Sequence, residues 1–258
     1  MQMQTTPNDP AFVDQWDIAT GDVGDAWRFT RGSDEILLVS LDTGVASSNG
    51  TPITSDLDQS RTDYIIPDNV TVNNGDHGHR ATSVMVAEAN NGFGLTGINW
   101  ESPTLIIDVY GNNPGIVEER LTNAINASLD FLDTSSASRI VFQGGIQGEF
   151  WLNVLDQSLI SDNLENTLYS VAAGNGSQHF NDTTDPVLSA GVARLAEVYD
   201  NVMGIGALEP SFQRVNGIQN VNALPLASYS NYGEAMTCLL YTSPSPRDAT
   251  LSRMPSSA

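Results

Sequence analysis

The sequence predicts an α/β fold, a doubly wound and mostly parallel sheet with helices on both faces. Short, continuous apolar runs recur along the chain, as in strands that are buried on both faces. Segments with helical spacing of apolar residues alternate with these runs, as they do when helices connect parallel strands. The 258 residues suit a single domain of this kind with a sizeable core.

The apolar run that begins at Ile36 is the central predicted strand. Five of its first six residues are aliphatic and none is Gly or Pro, so it suits a strand covered on both faces. It ends at Asp42, which is followed by Thr43-Gly44. Because the carboxyl ends of parallel strands open onto the crevice where ligands bind, Asp42 is a candidate for chemistry. An Asx-turn that merely stops the strand is the alternative interpretation.

The other elements are predicted from the same patterns, in chain order. A polar loop follows the first strand over residues 46–59. Helices are predicted at 81–89, 116–132 and 188–198, and strands at 104–110, 140–142, within 164–173 and at 202–207. The chain then divides into an N-terminal arm (1–20), a main domain (21–236) and a tail (237–258).

Composition excludes several classes of function. Thirty-one acidic residues stand against ten basic ones, all of them Arg, for a formal net charge of −21. Such a surface argues against nucleic acid and anionic membranes as partners. No apolar run approaches the roughly 20 residues that span a bilayer, and no signal peptide is visible at the start. The single cysteine, Cys238, leaves no disulfide framework or thiolate metal site.

A second stretch with candidate catalytic residues runs from Gly75 to Val84 and holds two of the three histidines. An acid that ends one strand and a histidine that opens a later helix are two thirds of a relay that activates a nucleophile. The structural alternative is a polar helix cap in which the histidine has no catalytic role. Zinc bound by His77, His79 and His179 is a further alternative, weakened by the remote third ligand.

Four blocks resemble, in order, the signature blocks of subtilisin-like serine proteases, the subtilase or peptidase S8 family. They are 39–45 (VSLDTGV), 77–92 (beginning HGHRATSV), 171–176 (VAAGNG) and 227–233 (ASYSNYG), and the resemblance covers about Asn8 to Ala235. The opening Asn8-Asp-Pro10 is particularly similar to the kexin-type branch and its bacterial relatives. The resemblance implies a secreted or periplasmic, monomeric endopeptidase that acts on polypeptides, with Asp42 as triad acid and His77 as general base.

The assignment of the base depends on alignment, because the usual His-Gly-Thr-x-x-Ala-Gly is altered here. Counting back from Asn90-Asn91 places His77-Gly78 on the family's His-Gly, whereas aligning Thr82-Ser83 selects His79 at the cost of a gap. A helix tolerates gaps poorly, which favours His77.

The resemblance also implies other site residues. Asn175, within Gly-Asn-Gly, matches the family's oxyanion donor, although those residues alone would be read as a turn. Phe142, Gln143 and Gly144 fall where the family has an edge strand that lines the specificity pocket and pairs with the substrate. For a structural Ca²⁺, the resemblance implies as ligands the side chains of Asp9 and Asn91 and the main-chain oxygens of Glu88 and Phe93, with Asp56 or Asp58 as possible additions.

The main departure from the family pattern concerns the third member of the triad, the serine. The family's serine lies in Gly-Thr-Ser-x-Ala, and no such segment occurs in these 258 residues. The segment that begins at Cys238 changes in composition, with several Pro and Ser, and resembles translated adapter sequence appended to environmental reading frames. We therefore expect a truncated and inactive protease domain whose tail, 237–258, is disordered and not native to the fold.

Two functions of other classes remain as alternatives. A pseudo-protease would keep the peptide groove and bind without cleaving. A glycosidase would pair Asp42 with Glu118 or Glu119, although no spacing in the sequence supports that pairing.

Overall fold

A computed structural model describes residues 6–48, 51–52, 55–65, 76–111, 117–145, 163, 165–179, 193–209, 211–215, 218–234 and 236–241. The helices within these ranges are α1 (Trp16–Thr20), α2 (Val23–Ala26), α3 (Asp76–Val86), α4 (Val117–Thr134) and α5 (Ala193–Val198), preceded by a 3₁₀ turn at Pro10–Asp14. The strands are β1 (Ile36–Asp42), β2 (Ser47–Ser48), β3 (Thr51–Pro52), β4 (Thr62–Ile65), β5 (Thr104–Asp108), β6 (Arg139–Gly144), β7 (Thr167–Ala172), β8 (Val202–Leu208), β9 (Ser211–Val215), β10 (Ile218–Ala223) and β11 (Met236–Tyr241).

Seven of these strands form one sheet in the order β11-β8-β7-β6-β1-β5-β4. Every neighbouring pair in it is parallel. Strand β1 lies inside the sheet, between β6 and β5, and all of its residues except Ile36 are buried. The carboxyl ends of all seven strands therefore meet at one edge, with Asp42 near its middle.

Helices cover both faces of the sheet. Alternate residues of β1 belong to two apolar clusters, because successive side chains of a strand point to opposite faces. On one face Leu37, Val39 and Leu41 pack with residues of α4 and α5. On the other face Leu38 packs with Met85 and Val86 of α3. The predicted doubly wound α/β fold is confirmed.

The N-terminal arm is attached to the segment that follows α3. The side-chain amide of Gln15 donates to the carbonyl of Thr96 and accepts from its N–H, both at 2.8 Å. The buried Trp27 donates its indole N–H to the carbonyl of Ile98 at 2.8 Å and lies against Trp100, with ring centroids 4.6 Å apart.

None of the helices in the described residues is long and apolar enough to span a membrane.

The predicted elements occur with shifted ends. Helix α3 begins five residues before the predicted start at Ala81, because the polar stretch around His77 is itself helical. The predicted helix 188–198 is described only from Ala193, and its first part lies outside the described residues. Strands β4, β9 and β10 were not predicted, since their sequences lack long apolar runs.

The predicted tail requires a correction at its start. Residues 237–241, expected to be disordered, belong to β11, which pairs with β8 in parallel through residues such as Cys238 opposite Ile205. The edge of β8 offers unpaired backbone N–H and C=O groups to a neighbouring strand, and this pairing does not depend on the composition of the added strand. Residues 242–258 of the predicted tail lie outside the described residues.

Candidate active site

Asp42 and His77 are in contact at the carboxyl edge of the sheet. The Nδ1 atom of His77 lies 2.8 Å from Oδ1 and 3.0 Å from Oδ2 of Asp42. The carboxylate is fully buried, whereas 63% of the imidazole side chain is exposed. Oδ1 of Asp42 also accepts the N–H of Thr43 at 2.7 Å, which orients the carboxylate. A buried acid thus holds an imidazole that faces outward.

This contact determines which imidazole nitrogen carries the proton. An ionised carboxylate can only accept hydrogen bonds, so Nδ1 of His77 must carry the proton that it shares with Asp42. The lone pair of the neutral ring is then on Nε2. That is the tautomer a general base needs to take a proton from a nucleophile.

Glycines allow the two elements of the pair to approach closely. Gly78 lies directly against the chain after β1, where an added Cβ would be 2.5 Å from the carbonyl oxygen of Gly44. Its N–H donates to the hydroxyl of Thr43 at 2.9 Å. Gly145 directly follows β6 and flanks the pair, and a Cβ there would be 2.2 Å from Oδ2 of Asp42. Sequence reasoning did not assign Gly145, although a glycine pair at the end of a strand is a signal of close approach.

His79 does not take the place of His77 in this arrangement. It lies two residues further along α3, is half-buried, and its carbonyl accepts the hydroxyl of Ser83 at 2.8 Å. The structure therefore brings His77 to the acid, as the alignment without a gap predicts.

Asn175 lies at the same edge of the sheet, in the loop after β7, and its side chain is exposed. One strand, β6, separates β7 from β1, which places the two strand ends roughly 10 Å apart. The role of Asn175 as an oxyanion donor stays a prediction.

A buried asparagine that sequence reasoning missed holds the loop of Asn175 in shape. Asn231 is 1% exposed; its Oδ1 accepts the N–H groups of Gly176 at 2.9 Å and Gln178 at 3.2 Å. Its Nδ2 donates to the carbonyl of Ala173 at 3.0 Å. Asn231 belongs to the 227–233 block, so its presence there was the available signal.

The prediction for Phe142, Gln143 and Gly144 needs correction in two respects. Strand β6 is internal and pairs with β1 and β7 over these residues, so it is not an edge strand there and its backbone is not open to a substrate. Phe142 is completely buried and stacks on Tyr169, with ring centroids 4.6 Å apart. Gln143 is half-buried and Gly144 is buried. Successive side chains of a strand point to opposite faces of the sheet, and the side chain of Phe142 is on a face that is covered by the core.

The residues proposed for calcium lie together around the loop after α3. Oδ2 of Asp9 accepts the N–H of Asn90 at 2.8 Å and the hydroxyl of Thr96 at 2.6 Å, and Oδ1 accepts the N–H of Asn91 at 3.1 Å. The Asn91 amide nitrogen donates to Oδ1 of Asp56 at 3.0 Å. Asp9 is thus used as an acceptor for loop N–H groups, and the Asn91 oxygen accepts from Phe93 at 2.8 Å. The calcium assignment stays a prediction.

Asp56 provides a pH-dependent test of this loop. Burial raises the pKa of its carboxyl above the ordinary value of 3.8, hydrogen bonds from Asn91 and Leu95 oppose the increase, and the charges of Asp9 and Glu88 add to it. An acid whose pKa is raised by folding binds its proton more tightly in the folded state, so its contribution to stability declines as pH rises from 3.8 through the raised pKa. We therefore expect the unfolding free energy of Asp56→Asn, relative to the unaltered chain, to increase with pH across that window in the presence of a chelator.

Urea unfolding at a series of pH values measures this difference, and Asp58→Asn is the matched control. Hydrogen bonds from Ser60 lower the pKa of Asp58. The unfolding free energy of Asp58→Asn, relative to the unaltered chain, should therefore change with pH in the opposite direction. A flat profile for Asp56→Asn would contradict the prediction. Reversal of the profile by Ca²⁺ would favour the calcium site, because a bound cation stabilises the ionised carboxylate.

The residues of the two alternative sites, for zinc and for glycoside hydrolysis, are not brought together. Among the described residues, no three His, Cys, Asp or Glu side chains are grouped to hold a metal ion. His179 packs edge-on against Tyr232, with ring centroids 5.2 Å apart. Glu118 and Glu119 open α4, which packs on the opposite face of the sheet from α3. The geometry thus gives Asp42 an imidazole partner from α3, while the two glutamates belong to the other face.

Comparisons with known proteins agree with the fold. The model of the subtilase family, peptidase S8, matches residues 33–246. Solved structures with a similar fold include the Aeromonas sobria serine protease in complex with its chaperone, at 16% identity and a TM-score of 0.57 over 91% of this chain and 43% of that one. A structure of the subtilase cytotoxin SubAB matches at 16% identity and a TM-score of 0.52, over 80% and 64% of the two chains. The S41 psychrophilic protease matches at 20% identity and a TM-score of 0.50, over 90% and 67%.

The chain spans only part of each of these solved proteins, and a comparison with curated protein sequences found no match. A parallel doubly wound sheet with a buried acid and an exposed imidazole at its carboxyl edge defines a hydrolase-like α/β domain. Within that class, the chain belongs to the subtilase family.

Proposed function

We propose that this domain hydrolyses peptide bonds by the Asp-His-Ser mechanism, with a serine that lies outside these 258 residues. The observation that carries the proposal is the contact between the buried Asp42 and the outward-facing His77, at 2.8 Å. Membership of the subtilase family supports the reaction class.

In this mechanism each residue has one task. His77 takes the proton of the serine hydroxyl at Nε2 as the serine attacks the scissile carbonyl, and returns it to the leaving amine. Asp42 holds the tautomer and stabilises the imidazolium that forms. Asn175 donates its amide to the developing oxyanion, an interaction that contributes about 3 to 4 kcal/mol to the transition state.

The burial pattern supports a further element on the α3 side of the sheet. On β7 and β8, buried residues alternate with half-buried or exposed ones, whereas β5 is buried on both faces. The half-buried Leu168 and Met203 lie on the α3 side of the sheet, since Leu168 is in register with Val141 and, through it, with Leu38. A helix that carries the serine would cover these side chains.

Labelling with a fluorophosphonate probe tests the proposal. The coding DNA is sequenced past the codon for Gly233, and both the 258-residue chain and any longer reading frame are expressed. We expect the short chain to remain unlabelled, and a longer frame with Gly-Thr-Ser-x-Ala to be labelled at that serine and to cleave casein. Specific labelling of a serine in the short chain, or a folded longer form that cleaves no peptide, would contradict the proposal.

A peptide-binding pseudo-protease is the second candidate, favoured by the lack of Gly-Thr-Ser-x-Ala in these residues. A natural stop codon with no such serine, together with peptide binding by the short chain, would establish it. We also propose a secreted or periplasmic location and a monomeric state, supported by the family, the highly acidic surface, and the absence of Lys. Fractionation of the source cells and light scattering of the purified chain test these two points.

A further inference from the structure

A chain of three polar side chains lies beneath the pair of Asp42 and His77. Ser40 precedes Asp42 by two residues in β1 and points to the same face of the sheet. Its hydroxyl oxygen is 3.0 Å from that of Thr82 in α3, and it donates to Oε1 of Gln143 in β6 at 3.2 Å. Both hydroxyl groups belong to residues that are completely buried.

The hydrogen bonds run in one direction. A serine hydroxyl has a single proton, and Ser40 gives it to the amide oxygen of Gln143, which can only accept. The hydroxyl of Thr82 must therefore donate to Ser40. These two hydrogen bonds, from Thr82 to Ser40 and from Ser40 to Gln143, connect three elements. They join α3, which carries His77, to β1, which carries Asp42, and to β6, which leads to Gly145.

The position of Thr82 on α3 makes this connection geometrically useful. Thr82 follows Gly78 by four residues, so the two lie on the same side of the helix, about 6 Å apart along its axis. Gly78 donates to the Thr43 hydroxyl just after β1, while Thr82 reaches Ser40 inside the strand. The helix is thus attached to β1 at two points, and His77 directly precedes the first of them.

A polar attachment constrains the helix more strictly than an apolar one. Apolar side chains pack with little directional preference, whereas a hydrogen bond requires a defined distance and angle. A slide or rotation of α3 would break the hydrogen bond between the buried hydroxyl groups of Thr82 and Ser40, which is costly. We propose that Thr82 and Ser40 are positioning residues, which hold α3 on β1 so that His77 meets Asp42.

This inference rests on the proposed role of His77, but its test reads the contact with Asp42 directly. In the 258-residue chain, NMR measures how fast the Nδ1 proton of His77 exchanges with water. Thr82→Val keeps the shape of the side chain and removes the hydroxyl. Because one buried hydrogen bond is lost, we expect exchange to become roughly tenfold faster. Thr82→Ser keeps the hydroxyl and should restore slow exchange.

Ser128→Ala is the matched control. Ser128 is completely buried in α4, on the opposite face of the sheet, and its hydroxyl donates to the carbonyl of Ala124 at 2.7 Å. Its removal should leave the exchange of the His77 proton unchanged. Equal acceleration in this control, or unchanged exchange in Thr82→Val, would overturn the proposal. If Thr82→Val does not fold, Ser40→Ala interrupts the same connection with a smaller change in volume. The result does not depend on whether the domain cleaves peptides, so failure of the proposed function would be recognised separately.

Discussion

Replacing His77 with alanine in a serine-bearing form of the domain is expected to lower kcat by about a millionfold, the loss that follows when the base of a subtilisin triad is removed. The reason is that His77 is the imidazole that Asp42 orients, with Nδ1 at 2.8 Å from the carboxylate. Without it, neither the serine nor the leaving amine has a proton partner. Initial rates on a peptide anilide measure the loss, and circular dichroism establishes that the variant is folded.

His79→Ala is the internal control for this experiment. His79 lies on the same helix two residues away, so the two variants share their local environment and differ in the contact with Asp42. We expect His79→Ala to keep kcat within about tenfold of the parent, since it removes no group from the proton relay. The opposite ranking of the two variants would reverse the assignment of the base and support the gapped alignment.

Replacing Phe142 with alanine is expected to lower the free energy of unfolding by about 3 to 5 kcal/mol. Its side chain is completely buried and stacks on Tyr169, so its removal leaves a cavity between the sheet and the helices of that face. A loss of this size is a large part of the 5 to 15 kcal/mol that stabilises a typical domain. Urea unfolding followed by tryptophan fluorescence measures it.

Phe93→Ala is the matched control, because Phe93 is 49% exposed and its removal leaves no enclosed cavity. We expect a change of less than about 1 kcal/mol for this variant. If Phe142→Ala unfolded like the parent but bound peptides more weakly, Phe142 would be a substrate-binding residue, as the family resemblance implies.

The architecture could be predicted because it depends on local patterns. The run of aliphatic residues from Ile36 to Leu41 can be buried on both sides only in an interior strand, and β1 is such a strand. The position of Asp42 follows from that strand, since a residue at the carboxyl end of a parallel strand lies at the ligand-binding edge. The helical spacing over residues 116–132 similarly matches α4, within two residues at each end.

Features set by contacts between distant residues could not be predicted in this way. The apolar residue Phe142 gave no sign of whether it faced a substrate or the core, because the answer depends on which side of β6 is covered and on the register with Tyr169. The role of Asn231 depends on a loop more than fifty residues earlier in the chain. Strand β11 forms because β8 has an open edge, although its own sequence breaks from the composition of the domain.

The sequence by itself determined the parallel α/β fold, the acid at the end of the central strand and the histidines at the start of a helix, because strand and helix periodicity and residue chemistry are local properties. The tertiary structure alone decided that His77 contacts Asp42 while His79 lies further along the helix, that Gly78 and Gly145 make room for the pair, and that Thr82 and Ser40 join α3 to β1. Those outcomes depend on how a helix sits on a strand, to within a few tenths of an ångström. That fit is set by packing across the whole sheet and not by any one segment.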